Sequence, residues 1–152
     1  MIEVLIATVI LSLGLLASAF MQTYSLRTTQ DNHFRVQAGQ LLEAMVDRIL
    51  SNPEGMIGGH YAGRTTAAER APSCLPTACS AEQLADADLA IWRASLVPPA
   101  GVLPSLPARL DGSAALGEIA RDVDGVYTLS LSWSSLIDGE PTDRSLSTSF
   151  HP

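Results

Sequence analysis

The chain is predicted to fold as α+β, with a long N-terminal α-helix whose C-terminal half packs on a small antiparallel β-sheet head. Three observations predict this. Residues 4–26 carry no Asp, Glu, Lys, Arg or His. The next stretch, 22–50, has no proline and only Gly39, and its apolar residues fall on one face. From Gly117 the apolar period changes to two around an Asp-Gly turn.

The first element is long enough to cross a bilayer, whose hydrocarbon core is roughly 30 Å thick, at about 1.5 Å of rise per residue. A lone acid, Glu3, stands at its head. Three readings compete. Ala17-Ser18-Ala19 before Phe20 is similar to a signal-peptide cleavage site, but a signal peptide wants a positive start and the only early charge here is negative. A plain membrane anchor leaves Glu3 unexplained. The third reading is a helix that lives in lipid before assembly and then packs with helices of its kind.

The residues after the apolar run favour continuation over cleavage. Ala38, Leu41, Leu42, Met45, Val46, Ile49 and Leu50 recur at i, i+3, i+4, i+7, i+8, i+11 and i+12. Gln40, Glu43, Asp47 and Arg48 lie mainly off that stripe. Ser51-Asn52-Pro53-Glu54-Gly55 is a breaker signal. The reading is one helix of about 50 residues, roughly 75 Å long, apolar all round in its first half and amphipathic in its second. Residues 1–26 form the transmembrane and assembly half, and residues 27–152 form the head with the amphipathic half.

Residues 55–73, rich in Gly, Ala, Thr and Arg, read as a surface loop. His60 and Tyr61 within it are candidates to bind something, but such residues more often face solvent or cap a core edge. Cys74 and Cys79 enclose four residues, one of them Pro76. A structural disulfide, free thiols and a metal site are the alternatives. The disulfide fits a chain that starts by entering a membrane, and none of His33, His60 or His151 lies at ligand spacing from the pair.

Ser80 with Gln83 is a capping-box signature. Ala85, Leu89, Trp92 and Leu96 then make an apolar stripe on a short helix. Asp86 and Asp88, off that stripe, are expected to face water. Pro98-Pro99 ends the helix, and a proline-rich connection with one PxxP match, Pro104 to Pro107, leads to the sheet. In the hairpin around Asp124-Gly125, Tyr127, Leu129, Leu131 and Trp133 share one face, opposite Thr128, Ser130, Ser132 and Ser134. After a loop, LIDGEPTD, the run RSLSTSF forms a third strand with Leu146 and Phe150 inward. A small sheet needs a partner for its apolar face, and the helix stripe from Ala38 to Leu50 supplies one. The expected core is Leu42, Met45, Ile49, Leu129, Leu131 and Trp133.

Composition narrows the function classes. Nine basic residues, all arginine, stand against 16 acidic ones, for a net charge of -7. That negative field opposes nucleic-acid binding. There is no nucleophile elbow, Walker loop or HExxH motif, so the chain reads as no enzyme, with no cofactor and no metal. An anchored binding module is the competing class.

The opening MIEVLIATVILSLGLLASAF resembles the N-terminal segment of type IV pilins and pseudopilins. Met1-Ile2 matches that family's apolar pair, and Glu3-Val4-Leu5-Ile6-Ala7 matches the stretch from its glutamate onward. By that alignment Met1 lies two residues after the usual mature, methylated N-terminus. The resemblance implies that Glu3 neutralises the amino terminus of a neighbouring subunit and sets register. CLPTAC, the helix AEQLADADLAIW and the strand YTLSLSW resemble the PilV type of minor pilin, in which a cysteine pair precedes an "AxxLAxxDLxxW" helix. The runner-up is GspI, a minor pseudopilin of type II secretion, which shares the "IEVL" start. A PilV-type subunit implies a role in priming or capping a pilus at its tip, in support of adhesion or twitching motility. Its implied partners are other minor pilins, the major pilin and a tip adhesin. The implied location is the inner membrane with a periplasmic head, then the pilus.

Overall fold

The computed structural model describes residues 2–68, 79–97, 101–137 and 140–152. Its contacts divide the chain into two compact units, Met1–His33 and Phe34–Pro152. Helix α1 (Ile2–Ser51) runs through the first and into the second.

The first unit is helix alone. Its large apolar side chains, from Ile2 to Leu26, are all exposed. The helix is long and apolar enough to cross a membrane.

The second unit is the α+β head. Its elements in order are the end of α1, α2 (Pro53–Ile57), β1 (Arg64–Thr65), α3 (Ala81–Leu96), β2 (Leu116–Arg121), β3 (Tyr127–Ile137) and β4 (Glu140–Phe150). The four strands form one antiparallel sheet in the order β1-β2-β3-β4. Helix α1 stops because Asn52 caps a new helix: its side chain accepts from Gly55 N at 3.1 Å, and Pro53 takes the first helical position, where no backbone donor is needed. The breaker at 51–55 is therefore a helix start as well as a helix stop.

The core joins the α1 stripe, the α3 stripe and the inner sheet face. All six expected core residues are buried, together with Ala85, Leu89, Trp92, Leu96, Ile119 and Tyr127. Phe34 extends the α1 stripe by a turn. Leu50, placed on the stripe by its spacing, is 48% exposed. Leu50 lies in the last turn of α1, which ends at Ser51, while its neighbour Ile49 is fully buried.

Helix α3 begins with the predicted capping box, Ser80 accepting from Gln83 N and Gln83 accepting from Ser80 N. Its Trp92 ring lies against the sheet at Gly117, where an added Cβ would come within 2.6 Å of the indole. Only glycine lets α3 approach β2 so closely. Thr66 seals the short β1–β2 pairing: its N–H donates to Gly117 O, and its hydroxyl accepts from Gly117 N, both at 2.9 Å.

The β2–β3 turn is the expected one. Gly125 sits at φ +87°, and the Asp122 carboxylate accepts from the backbone N–H groups of Asp124 and Val126. The second hairpin is longer than predicted. Much of LIDGEPTD is strand, with Ile137 paired to Glu140 and Leu136 to Pro141. Pro141 did not end the sheet because β4 is an edge strand, which tolerates a missing N–H on its open side. Leu146 and Phe150 pack against the core but stay partly exposed. The proline-rich connection is more than a linker, since Leu106 in it is buried in the core.

Candidate functional site

Glu3 lies in the first turn of α1 and is exposed among exposed apolar side chains. An acid there is favourably placed in the positive field of the helix N-terminus. The hydroxyls of the apolar unit turn back on their own helix. Thr8 donates to Leu5 O, Ser12 to Val9 O, Ser18 to Gly14 O and Thr23 to Ala19 O. No unpaired hydroxyl is left at those four positions to oppose burial in lipid or among other helices. Glu3 is thus the one formal charge among the described residues from Ile2 to Leu26.

Of the other expected site residues, Cys74 lies outside the described residues, while Cys79 stands directly before the α3 cap Ser80. Among the described residues no cluster of His, Cys, Asp and Glu has a spacing that could hold a metal ion.

The head carries a polar constellation that sequence reasoning placed wrongly. Tyr61, expected at a surface or core rim, is 0% exposed, and Asp88, expected in water, is 5% exposed. The Tyr61 hydroxyl donates to Asp88 Oδ2 at 2.7 Å. Asn52 Nδ2 donates to Tyr61 Oη at 3.0 Å and to Ala81 O at 2.8 Å. Arg48 Nη1 pairs with Asp88 Oδ1 at 3.3 Å. The stretch that read as a surface loop is thereby folded into α2, β1 and a buried knot. Asp86 also has a partner, Arg64 Nη1 at 3.1 Å.

A signal for Asp88 was present in the spacing. It stands three residues after Ala85 and four before Trp92, on the buried face of α3. Reading only the apolar letters hid it. Tyr61 had no periodic signal, because it follows Gly58-Gly59 in an irregular stretch.

The constellation reads as a latch, not a reaction centre. It ties the end of α1, α2 and the start of α3 with matched donors and acceptors. Burial, and then the Asp88 carboxylate, push the Tyr61 hydroxyl well above the ordinary tyrosine range. Burial likewise raises Tyr127, whose hydroxyl donates to Met56 O at 2.7 Å. A group with a raised folded-state pKa stabilises below its unfolded value, about 10 for tyrosine, and loses that contribution as pH climbs through the folded value. Tyr61→Phe keeps the ring but leaves an Asp88 lone pair facing no donor. It should cost about 1–2 kcal/mol and flatten the fall of stability above about pH 10. Denaturant unfolding of both chains at neutral and alkaline pH checks this, and equal midpoints at neutral pH would mean that the latch contributes nothing.

Together these features define a class: a helix with a membrane-capable unit, headed by a single acid and continuing into an α+β head built on its own core. The family comparison agrees. Residues 20–90 match the family model Tt1218-like, described as type IV pilin Tt1218. The match takes in slightly less than half of the chain, from Phe20 to Ala90 in α3, and supports a place in the type IV pilin superfamily. No curated protein and no solved structure matches the chain.

Proposed function

We propose that the chain is a minor subunit of a type IV pilus, of the PilV type, which helps prime or cap assembly at the tip. The observation that carries the reading is the single helix α1. One part of it is apolar, exposed and headed by Glu3, and the other is buried as the spine of a head. Such a helix suits two environments in turn: the bilayer before assembly, and a bundle of like helices afterwards. In this reading the head faces the periplasm until assembly and the cell surface thereafter. The partners are other minor pilins, the major pilin and a tip adhesin, and no cofactor is needed.

Cys74 and Cys79 are proposed to form a disulfide that holds the chain ahead of the Ser80 cap. The loop it closes is short, so it stabilises less than a long-loop bridge. A mass measurement on unreduced periplasmic material that finds two free thiols rejects it.

The second reading, a GspI-like pseudopilin of type II secretion, keeps its claim through the "IEVL" start. Deleting the gene separates the two. Loss of surface pili with normal protein secretion supports the pilus role. Normal pili with lost secretion assign the chain to the secretion system, and normal pili with normal secretion overturn both.

A further inference from the structure

Gly39 stands inside the part of α1 that belongs to the head, and the chain's own packing does not call for it. Glycine is the costliest residue after proline to hold in a helix interior. At Gly55 and Gly117 an added Cβ would come within 2.3 Å of Asn52 and 2.6 Å of Trp92, so those glycines are required. At Gly39 it would meet only Leu146 Cδ2 among the described residues, at 3.9 Å, an ordinary contact. Gly39 therefore leaves a notch on the flank of α1 beside β4. One turn before it on that flank stands Arg35, which is exposed and whose guanidinium has no partner among the described residues. Asp31, a turn earlier still, is already engaged. Glu43 and Asp47 form an exposed ridge, and their carboxylates too have no partner among the described residues. Like charges at i and i+4 repel each other, so this pair is a cost to the isolated chain.

We propose that Arg35 and the Gly39 notch of one copy receive the Glu43 and Asp47 ridge of a second copy, whose α1 runs parallel and is displaced toward its N-terminus by eight residues, about 12 Å. In this register Arg35 is level with the partner's Glu43, and the partner's Asp47 lies over Gly39. Side chains on a helix lean toward its N-terminus, so the partner's Asp47 leans toward Arg35. One guanidinium then answers both carboxylates, and charge-assisted contacts of this kind are the strong ones. A side chain at position 39 would hold the two helices apart at the level of the partner's Asp47. An offset of one turn instead would set the partner's Asp47 beside Glu43, acid against acid. An offset of three turns would leave the partner's Glu43 without a cation. The second copy is the occupant because the cation, the notch and the acids all belong to this chain and match in one register. Parallel helices let both copies enter one membrane in the same direction. At about 100° per residue the two faces stand roughly 80° apart around α1, so the contact passes from copy to copy instead of closing in a pair. The inference deepens the filament reading and rests on it, but it uses no residue of the apolar unit.

Two differently tagged full-length copies, expressed together and extracted from membranes in mild detergent at low salt, test the contact. The parent copies should co-purify. Arg35→Glu in both copies, or Glu43→Arg with Asp47→Arg in both, should reduce recovery at least tenfold. An Arg35→Glu copy mixed with a Glu43→Arg, Asp47→Arg copy should recover most of the yield, because each charge again meets its opposite. Gly39→Ala should lower the yield severalfold while the thermal unfolding temperature of the full chain stays level or rises. No co-purification of parent copies, a loss that mixing does not restore, or a yield indifferent to Gly39→Ala each overturns the proposal. The gene deletion reads the filament role separately, so copies that fail to co-purify in cells whose pili need the gene overturn this contact and leave that role standing.

Discussion

Trp133→Ala should lower the stability of the head by about 3–5 kcal/mol. Small domains hold together by only about 5–15 kcal/mol in total, so this one change takes a large share of the margin. The indole is 2% exposed and is the last apolar residue before buried Ser135 in the inward row Tyr127, Leu129, Leu131 and Trp133 of β3. Inward-facing Leu106 and Ala115, from the connection before β2, belong to the same core. Truncation at Trp133 would open a cavity among elements fixed by backbone pairing on both sides of β3, and such a site collapses poorly. The indole N–H has no acceptor among the described residues, so ring volume rather than a hydrogen bond is what the position supplies. Trp133→Phe should therefore recover most of the loss. Denaturant unfolding followed by Trp92 fluorescence reads both variants. A loss under about 1 kcal/mol for Trp133→Ala would mean that the ring does not fill the core.

The two periodicities carried most of this fold. The 3.6-residue stripe of α1 and the alternation of β3 marked the buried faces, because burial on one face leaves a repeating mark in the chain. The cap of α3 was legible for a different reason, since Ser80 and Gln83 satisfy each other's backbone donors locally. What escaped was held by contacts between distant segments. Tyr61 is buried by partners at Asn52 and Asp88, and neither neighbours it in sequence. Leu106 is buried from a proline-rich connection whose composition signals exposure. The strand status at Leu136, Ile137 and residues 140–143 came from pairing across a hairpin, which overrode a turn-like composition. The candidate assembly residue was legible in another way. Glu3 stood out as a charge where nothing else was charged, and intramembrane acids are functional by default.

Glu3→Ala is the second change with a large expected effect, and its effect falls on assembly rather than on folding. Every buried core residue among the described ones belongs to Phe34–Pro152, so the head keeps its core when residue 3 changes. Removing the acid makes the first turn of α1 more apolar, so membrane insertion is not impaired. What is lost lies between subunits. In a bundle of apolar helices a carboxylate is tolerated when it is paired with a cation, and breaking such a pair leaves the partner charge buried and unanswered, at about 3–5 kcal/mol. That corresponds to a loss of more than about a hundredfold in the population of the correctly packed neighbour. Under the proposed role the unanswered group is the amino terminus of the adjacent subunit. The variant should then fractionate with the membrane as the parent does, while its co-purification with other minor pilins falls to background. Glu3→Asp, which keeps the charge on a shorter stem, should recover part of the yield, and Glu3→Gln, which keeps the shape without the charge, should not. Normal co-purification of Glu3→Ala beside normal insertion would remove the register role and leave Glu3 as an acid that faces the membrane surface.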